Sequence, residues 1–231
     1  MLRRDYLLRQ VEEFFDALMR MAGLAKAEQW EAAAGIANAQ FKALAGAGAG
    51  ELLGMSGTEL IARLAEGDAG YRIQEKMFMV ARLFKENGDL LRGQGRIEES
   101  HAYYLKGLRL LLGAMADDPA SPRPEFLPSL ESFLIGLQDS ALNLETNALL
   151  MRHYEQVREY AKAEDALFGM LDTEPGNLEL LDFGVGFYER LLRLDDETLE
   201  LGNLPRAEVK SGLDELNARK GALVRRQNLE R

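Results

Sequence analysis

Any chemistry in this chain must come from carboxylates, guanidiniums, amines and two imidazoles, because cysteine is absent. That excludes thiol catalysis, disulfides and cysteine-based metal sites. The imidazoles are His101 and His153. Glu98-x-x-His101 has the spacing with which di-iron carboxylate sites project two ligands to one side of a helix. Such a site needs a second pair, and the residue three before His153 is Leu150, so no metal is expected. Adjacent acids occur at Glu12-Glu13, Glu98-Glu99, Asp117-Asp118 and Asp195-Asp196. Neighbours on a helix diverge by about 100°, which makes them poor paired catalysts. Asp195-Asp196 reads better as the end of one helix or the cap of the next. There is no GxxxxGK[ST], GxSxG or HExxH, and no GxGxxG after a strand. The GAGAG run from Gly46 to Gly50 follows a helical pattern and carries no lysine, so it is not a phosphate loop. The expectation is a non-enzyme without cofactors.

One constellation remains. Arg82, Lys85, Asp89 and Arg92 are separated by steps of three, four and three, and so share one helix face beside the apolar stripe. Three cations there can hold a carboxylate or an acidic peptide, with arginine binding bidentately. The alternative is a solvated face on which Asp89 pairs with Lys85 or Arg92. The chain as a whole carries a net charge of −10, which argues against a nucleic-acid binder. No helix-turn-helix is recognisable. Arg9, Glu12 and Glu13 interrupt any apolar run at the N-terminus, and no stretch approaches the roughly 18 apolar residues of a membrane span. A cytoplasmic protein with no nucleic-acid or membrane partner is expected.

These side chains must be positioned by helices. Leu (41) and Ala (29) far outnumber Val (6), Ile (5) and Thr (4), a balance that favours helix over strand. Apolar residues recur at helical spacing: Val11, Phe14, Leu18, Met21; Ile73, Met77, Val80, Phe84, Leu91; Ile97, Tyr104, Leu108, Leu111; Leu181, Val185, Tyr188, Leu192. No alternating strand pattern is found. Breaks fall at the glycine-rich Ala45–Gly57, expected as a loop, at Asp117–Pro124, at Glu174–Asn177, around Asp195 and at Gly202–Pro205. Ser56 with Glu59 predicts a capping box. Pro205 suits the first turn of a last helix, roughly 206–219. The tail 220–231 reads as polar and basic, frayed or disordered. Nine or ten helices are predicted, in a single domain over 1–219.

Three segments share a plan in which a helix, a short turn and a second helix opening on an apolar residue follow one another. They are Met21–Leu44, Gly88–Leu112 and Met151–Gly176. Gly88, Gly95, Ile97, Ser100, Tyr104 and Gly107 carry the pattern in one copy. Tyr154, Tyr160, Ala163, Leu167 and Pro175 carry it in another, and Trp30 and Ala33 in the third. These segments resemble the tetratricopeptide repeat. The resemblance implies an all-α, right-handed solenoid-like array of antiparallel helix pairs. Matching positions lie 67 and 63 residues apart rather than the family's 34, so extra helices such as TELIARL and FLPSLESFLIGLQ must be inserted. The opening RRDYLLRQVEEFFDALMRMAGL also resembles the start of an uncharacterised bacterial family of unknown function. The tetratricopeptide resemblance further implies a concave groove lined by Arg82, Lys85, Asp89 and Arg92, and later by Glu145, Ala148, Arg152, Glu155 and Gln156. The function it implies is a scaffold for protein–protein interaction, with another protein or a peptide as partner. A homodimer is expected on separate grounds, the surplus of Leu, Met and Phe, with Phe14 and Phe15 on neighbouring faces of the first helix. A regulator that binds a short peptide or small anion is the alternative.

Overall fold

A computed structural model describes residues 2–66, 70–116, 123–138 and 140–229. Among them are twelve α-helices and no strand. Packing divides the chain into two compact units, where the sequence predicts one domain over 1–219. The first unit holds α1 (Leu2–Lys26), α2 (Trp30–Ala45), α3 (Ala49–Gly54), α4 (Gly57–Ala65), α5 (Tyr71–Gly93), α6 (Ile97–Met115) and α7 (Leu130–Gly136). The second holds α8 (Leu144–Gln156), α9 (Tyr160–Thr173), α10 (Leu178–Leu191), α11 (Asp196–Leu201) and α12 (Arg206–Leu229).

Three helical hairpins, α1–α2, α5–α6 and α8–α9, close with one turn geometry. Glu28, Gly95 and Arg158 take left-handed φ values of 56°, 75° and 64°. The next residue's N–H then reaches back five positions: Gln29 to Leu24 O, Arg96 to Leu91 O and Glu159 to Tyr154 O, each at 2.9 Å. This satisfies a carbonyl that the helix end would leave open. Five residues beyond each left-handed position stands a small, fully buried side chain: Ala33, Ser100 and Ala163. The register read from the sequence therefore holds in all three copies. Asn203 repeats the turn between α11 and α12, with Leu204 N–H on Leu199 O at 3.1 Å.

In unit 1 the long α5 is buried around most of its girth, with Met77, Val80, Ala81, Leu83, Phe84 and Leu90 nearly inaccessible. Alpha-helix α6 packs along it, α2 flanks it, and α7 covers a further face. The capping box at α4 is present: Ser56 Oγ accepts from Glu59 N–H at 3.2 Å, and Glu59 Oε2 accepts from Ser56 N–H at 2.7 Å. In unit 2, α12 lies against α10. A Cβ on Gly184 would stand 2.5 Å from Leu216 Cδ1, so this glycine permits the close approach. Asp195 caps α11 by accepting from Thr198 N–H at 2.7 Å, and Asn177 caps α10.

Three expectations require correction. The Ala45–Gly57 loop contains α3, because Asn38 Oδ1, reaching from α2, accepts Ala49 N–H at 2.9 Å and Leu52 is fully buried. The helix count is higher than nine or ten, since the six-residue α3 and α11 are too short to show a period. The tail expected from 220 onward continues α12 to Leu229. Lys220 pairs with Asp182 at 2.5 Å and the Arg219 guanidinium lies 5.4 Å from the Phe168 ring, which anchors that stretch. The part of the break at 117–122 lies outside the described residues.

Candidate functional site

The stripe on α5 folds as a single face, and the chain itself occupies it. Arg82 Nη1 donates to the carbonyl of Phe126 at 3.1 Å. Ten residues on, Arg92 Nη1 donates to the carbonyl of Gly136 at 2.9 Å. Residues 126–136 thus run alongside α5 in the same direction, held at both ends by guanidinium on main chain. Between the clasps, Lys85 Nζ meets Asp89 Oδ2 at 2.6 Å, and Asp89 Oδ1 accepts the Tyr104 hydroxyl at 2.7 Å. Arg82 also pairs with Glu86 at 2.6 Å. Burial, and then the bond to Asp89, push the Tyr104 hydroxyl well above its usual range, so it remains a donor.

Apolar and steric contacts complete the seat. Phe126 meets Phe14 and Phe15 of α1 edge to face, at centroid distances of 5.4 and 5.7 Å. Leu130, Phe133 and Leu137 are buried. The Tyr104 ring lies between two glycines: a Cβ on either Gly88 or Gly136 would stand 2.7 Å from its nearest carbons. A Cβ on Gly107 would meet Phe133 at 2.6 Å. Of the glycines in the repeat pattern, Gly88 and Gly107 take part in this packing; Gly136, which the pattern does not include, completes it.

In unit 2, Arg152 and Gln156 on α8 are exposed, whereas Glu155 is half-buried. Glu155 receives Arg190 bidentately, at 2.8 and 3.0 Å. That bond raises the Arg190 guanidinium above its ordinary value. Glu145 and Ala148 are exposed on the same helix. A second buried tyrosine here mirrors Tyr104, since the Tyr188 hydroxyl donates to Glu164 Oε1 at 2.5 Å. Burial lifts the Glu164 carboxyl above the usual carboxylate range.

A family model matches residues 1–221, and its description is a family of unknown function, DUF6483. The chain belongs to that family. No curated protein matches it, and no solved structure does. For this DUF6483 chain the site must therefore be judged on its own geometry. Among the described residues no three His, Asp or Glu side chains gather to hold a metal ion. No described helix is long and apolar enough to cross a membrane.

Sequence reasoning missed a cleft of about 220 Å³ in unit 1, between the start of α2, the end of α5 and the start of α6. Trp30, Tyr103 and the buried Asn87 are among the residues that line it. Trp30 is the chain's one tryptophan. Its ring rests on Gly93, where a Cβ would approach to 2.8 Å. The signal lay in the tryptophan at the head of α2, which reads equally well as a packing residue.

Proposed function

We propose that this chain is a non-enzymatic, tetratricopeptide-like helical scaffold that binds a segment of another protein. The observation that carries the reading is the double arginine clasp on α5. Guanidinium-to-carbonyl bonds ten residues apart hold a length of polypeptide by its main chain, a mode indifferent to side-chain identity. The shared turn and the buried small residue of the three hairpins support the repeat-like architecture. In unit 1 the α5 face is filled from within. The partner therefore meets faces still open, and on α8 these carry Arg152 and Gln156. Self-association is the variant in which the partner is a second copy. The setting proposed is the cytoplasm.

Cross-linking of the full chain in its host, followed by mass spectrometry, tests the proposal. The expected result is one dominant protein linked near α8, with the yield cut several-fold by Arg152→Glu. Links to no protein at all, with Arg152→Glu indistinguishable from wild type, would overturn it.

A further inference from the structure

We propose that the Trp30–Tyr103 cleft is a receptor for one arginine side chain of a partner protein. The inference rests on the scaffold reading only for the source of that side chain. The cleft itself is read from its chemistry.

The first observation is size. About 220 Å³ is below the range of ordinary cofactor and metabolite pockets, roughly 300–1,000 Å³, and suits a single side chain. The second is composition. Ala34, Leu90 and Leu91 give apolar lining, to which Trp30 and Tyr103 add two aromatic side chains. The third is the balance of donors and acceptors. Asn87 is more than nine-tenths buried, and its Nδ2 is spent on Leu83 O at 2.9 Å, which leaves Oδ1 as a free acceptor in the lining. Gln94 repeats this at the rim: Nε2 goes to Leu90 O at 3.1 Å and Oε1 is left over. The cleft's one cation, Arg96, is closed off by Glu99 through two bonds of 2.7 and 2.6 Å. The Glu31 carboxylate, also in the lining, is exposed on the first turn of α2. Among the described residues Glu31 has no ion pair.

The amide and carboxylate oxygens left over are acceptors, and they outnumber the two neutral donors of the lining, the Trp30 indole N–H and the Tyr103 hydroxyl. The group that fits must bring donors, tolerate aromatic faces and carry positive charge toward a chain of net charge −10. A guanidinium meets all three conditions. It stacks on Trp30 or Tyr103, offers a fork to Glu31 and has further N–H groups for Asn87 and Gln94. A lysine ammonium brings the charge without the flat face or the fork. The occupant is therefore arginine within a polypeptide, not the free amino acid, whose carboxylate would approach Glu31 and the acidic chain.

Trp30, as the only tryptophan, makes the test direct. The full chain is titrated with N-acetyl-L-arginine N-methylamide, and Trp30 fluorescence and its indole N–H resonance are followed. Saturable change is expected with a Kd of about 1–10 mM, the scale of a small fragment. N-acetyl-L-leucine N-methylamide and N-acetyl-L-glutamate N-methylamide should give no saturation, and free L-arginine a weaker response. Glu31→Gln should weaken the arginine probe at least threefold and Glu31→Arg should abolish its effect, with helicity unchanged because Glu31 is exposed. The proposal falls if the arginine probe does not saturate, if the neutral or acidic probe matches it, if Glu31→Arg leaves it unaltered, or if free L-arginine binds more tightly. The cross-linking experiment does not involve this probe, so the two readings fail separately.

Discussion

Replacing Gly136 by alanine is a severe test of how α7 is seated. The new Cβ would stand 2.7–2.8 Å from Cε2, Cδ2 and Cζ of Tyr104. Ordinary carbon contact begins near 3.5 Å, so the shortfall is about 0.7–0.8 Å. The ring cannot retreat, because its opposite side already lies where a Cβ on Gly88 would come within 2.7 Å. Its hydroxyl is tied to Asp89 as well. Either α7 shifts, which lengthens the Arg92–Gly136 bond, or the ring strains. Overpacking of this kind costs roughly 1–3 kcal/mol. Alanine recovers only part of the ~0.8–1.0 kcal/mol helix preference over glycine, because Gly136 is the last residue of α7. The net expectation is a loss of about 1–2 kcal/mol, or a melting temperature lower by roughly 2–8 °C. Gly23→Ala and Gly35→Ala are the controls. Both sit inside helices with nothing within 4 Å of the added carbon, and each should be neutral or stabilising by up to about 1 kcal/mol. Urea denaturation followed by circular dichroism measures all three. If Gly136→Ala is as stable as the two controls, the described seat of α7 on Tyr104 is wrong.

Other outcomes follow from the same contacts. Ser100→Leu and Ala163→Leu, at fully buried positions, should each destabilise by roughly 1–3 kcal/mol in thermal melts; wild-type melting in both would mean the hairpin register is misplaced. Ser56→Ala removes the α4 capping box and should cost about 0.5–2 kcal/mol, read as faster amide exchange over α4, and unchanged exchange there would count against it. Glu164 has a folded-state pKa raised by burial, so the folded state holds its proton more tightly than the unfolded chain. Stability should then decline as pH rises from about 4.5, the ordinary value, through the raised one. Glu164→Gln should flatten that decline in urea titrations at successive pH values, and an unchanged profile would refute the assignment.

The helix pairs were legible because their signals are local. A turn residue, an apolar opener and a small residue three places later lie within a few positions of one another, as at Gly95, Ile97 and Ser100. The destination of Arg82 and Arg92 was not legible. Their acceptors are main-chain carbonyls 44 residues away, and a carbonyl leaves no trace in residue type. The pairing of Lys85 with Asp89 was one of the two alternatives that the spacing allowed, and it is the one present. Helix α3 was hidden for a related reason. Glycines argue against a helix, and the compensating cap comes from Asn38, eleven residues upstream of Ala49. Of the pair Phe14 and Phe15, read as surplus apolar surface, Phe14 is buried and Phe15 stays exposed, and both rings meet Phe126, whose place no periodicity reveals.

The 44-residue separation between α5 and the segment it clasps has a consequence during synthesis. Translation proceeds at about 5–20 residues per second, so the α5 face waits roughly 2–9 seconds for its covering strand of chain to be made. For that interval a nascent hairpin bears arginines and a lysine beside an incomplete apolar surface, amid ribosomal RNA. Its acids are placed to meet this. Glu86 and Asp89 lie one turn beyond Arg82 and Lys85, so the pairs close as soon as the helix itself forms. The two carboxylates cancel two of the face's three cations before its permanent neighbour exists; Arg82 reaches its carbonyl once Phe126 is made, and Arg92 once α7 follows.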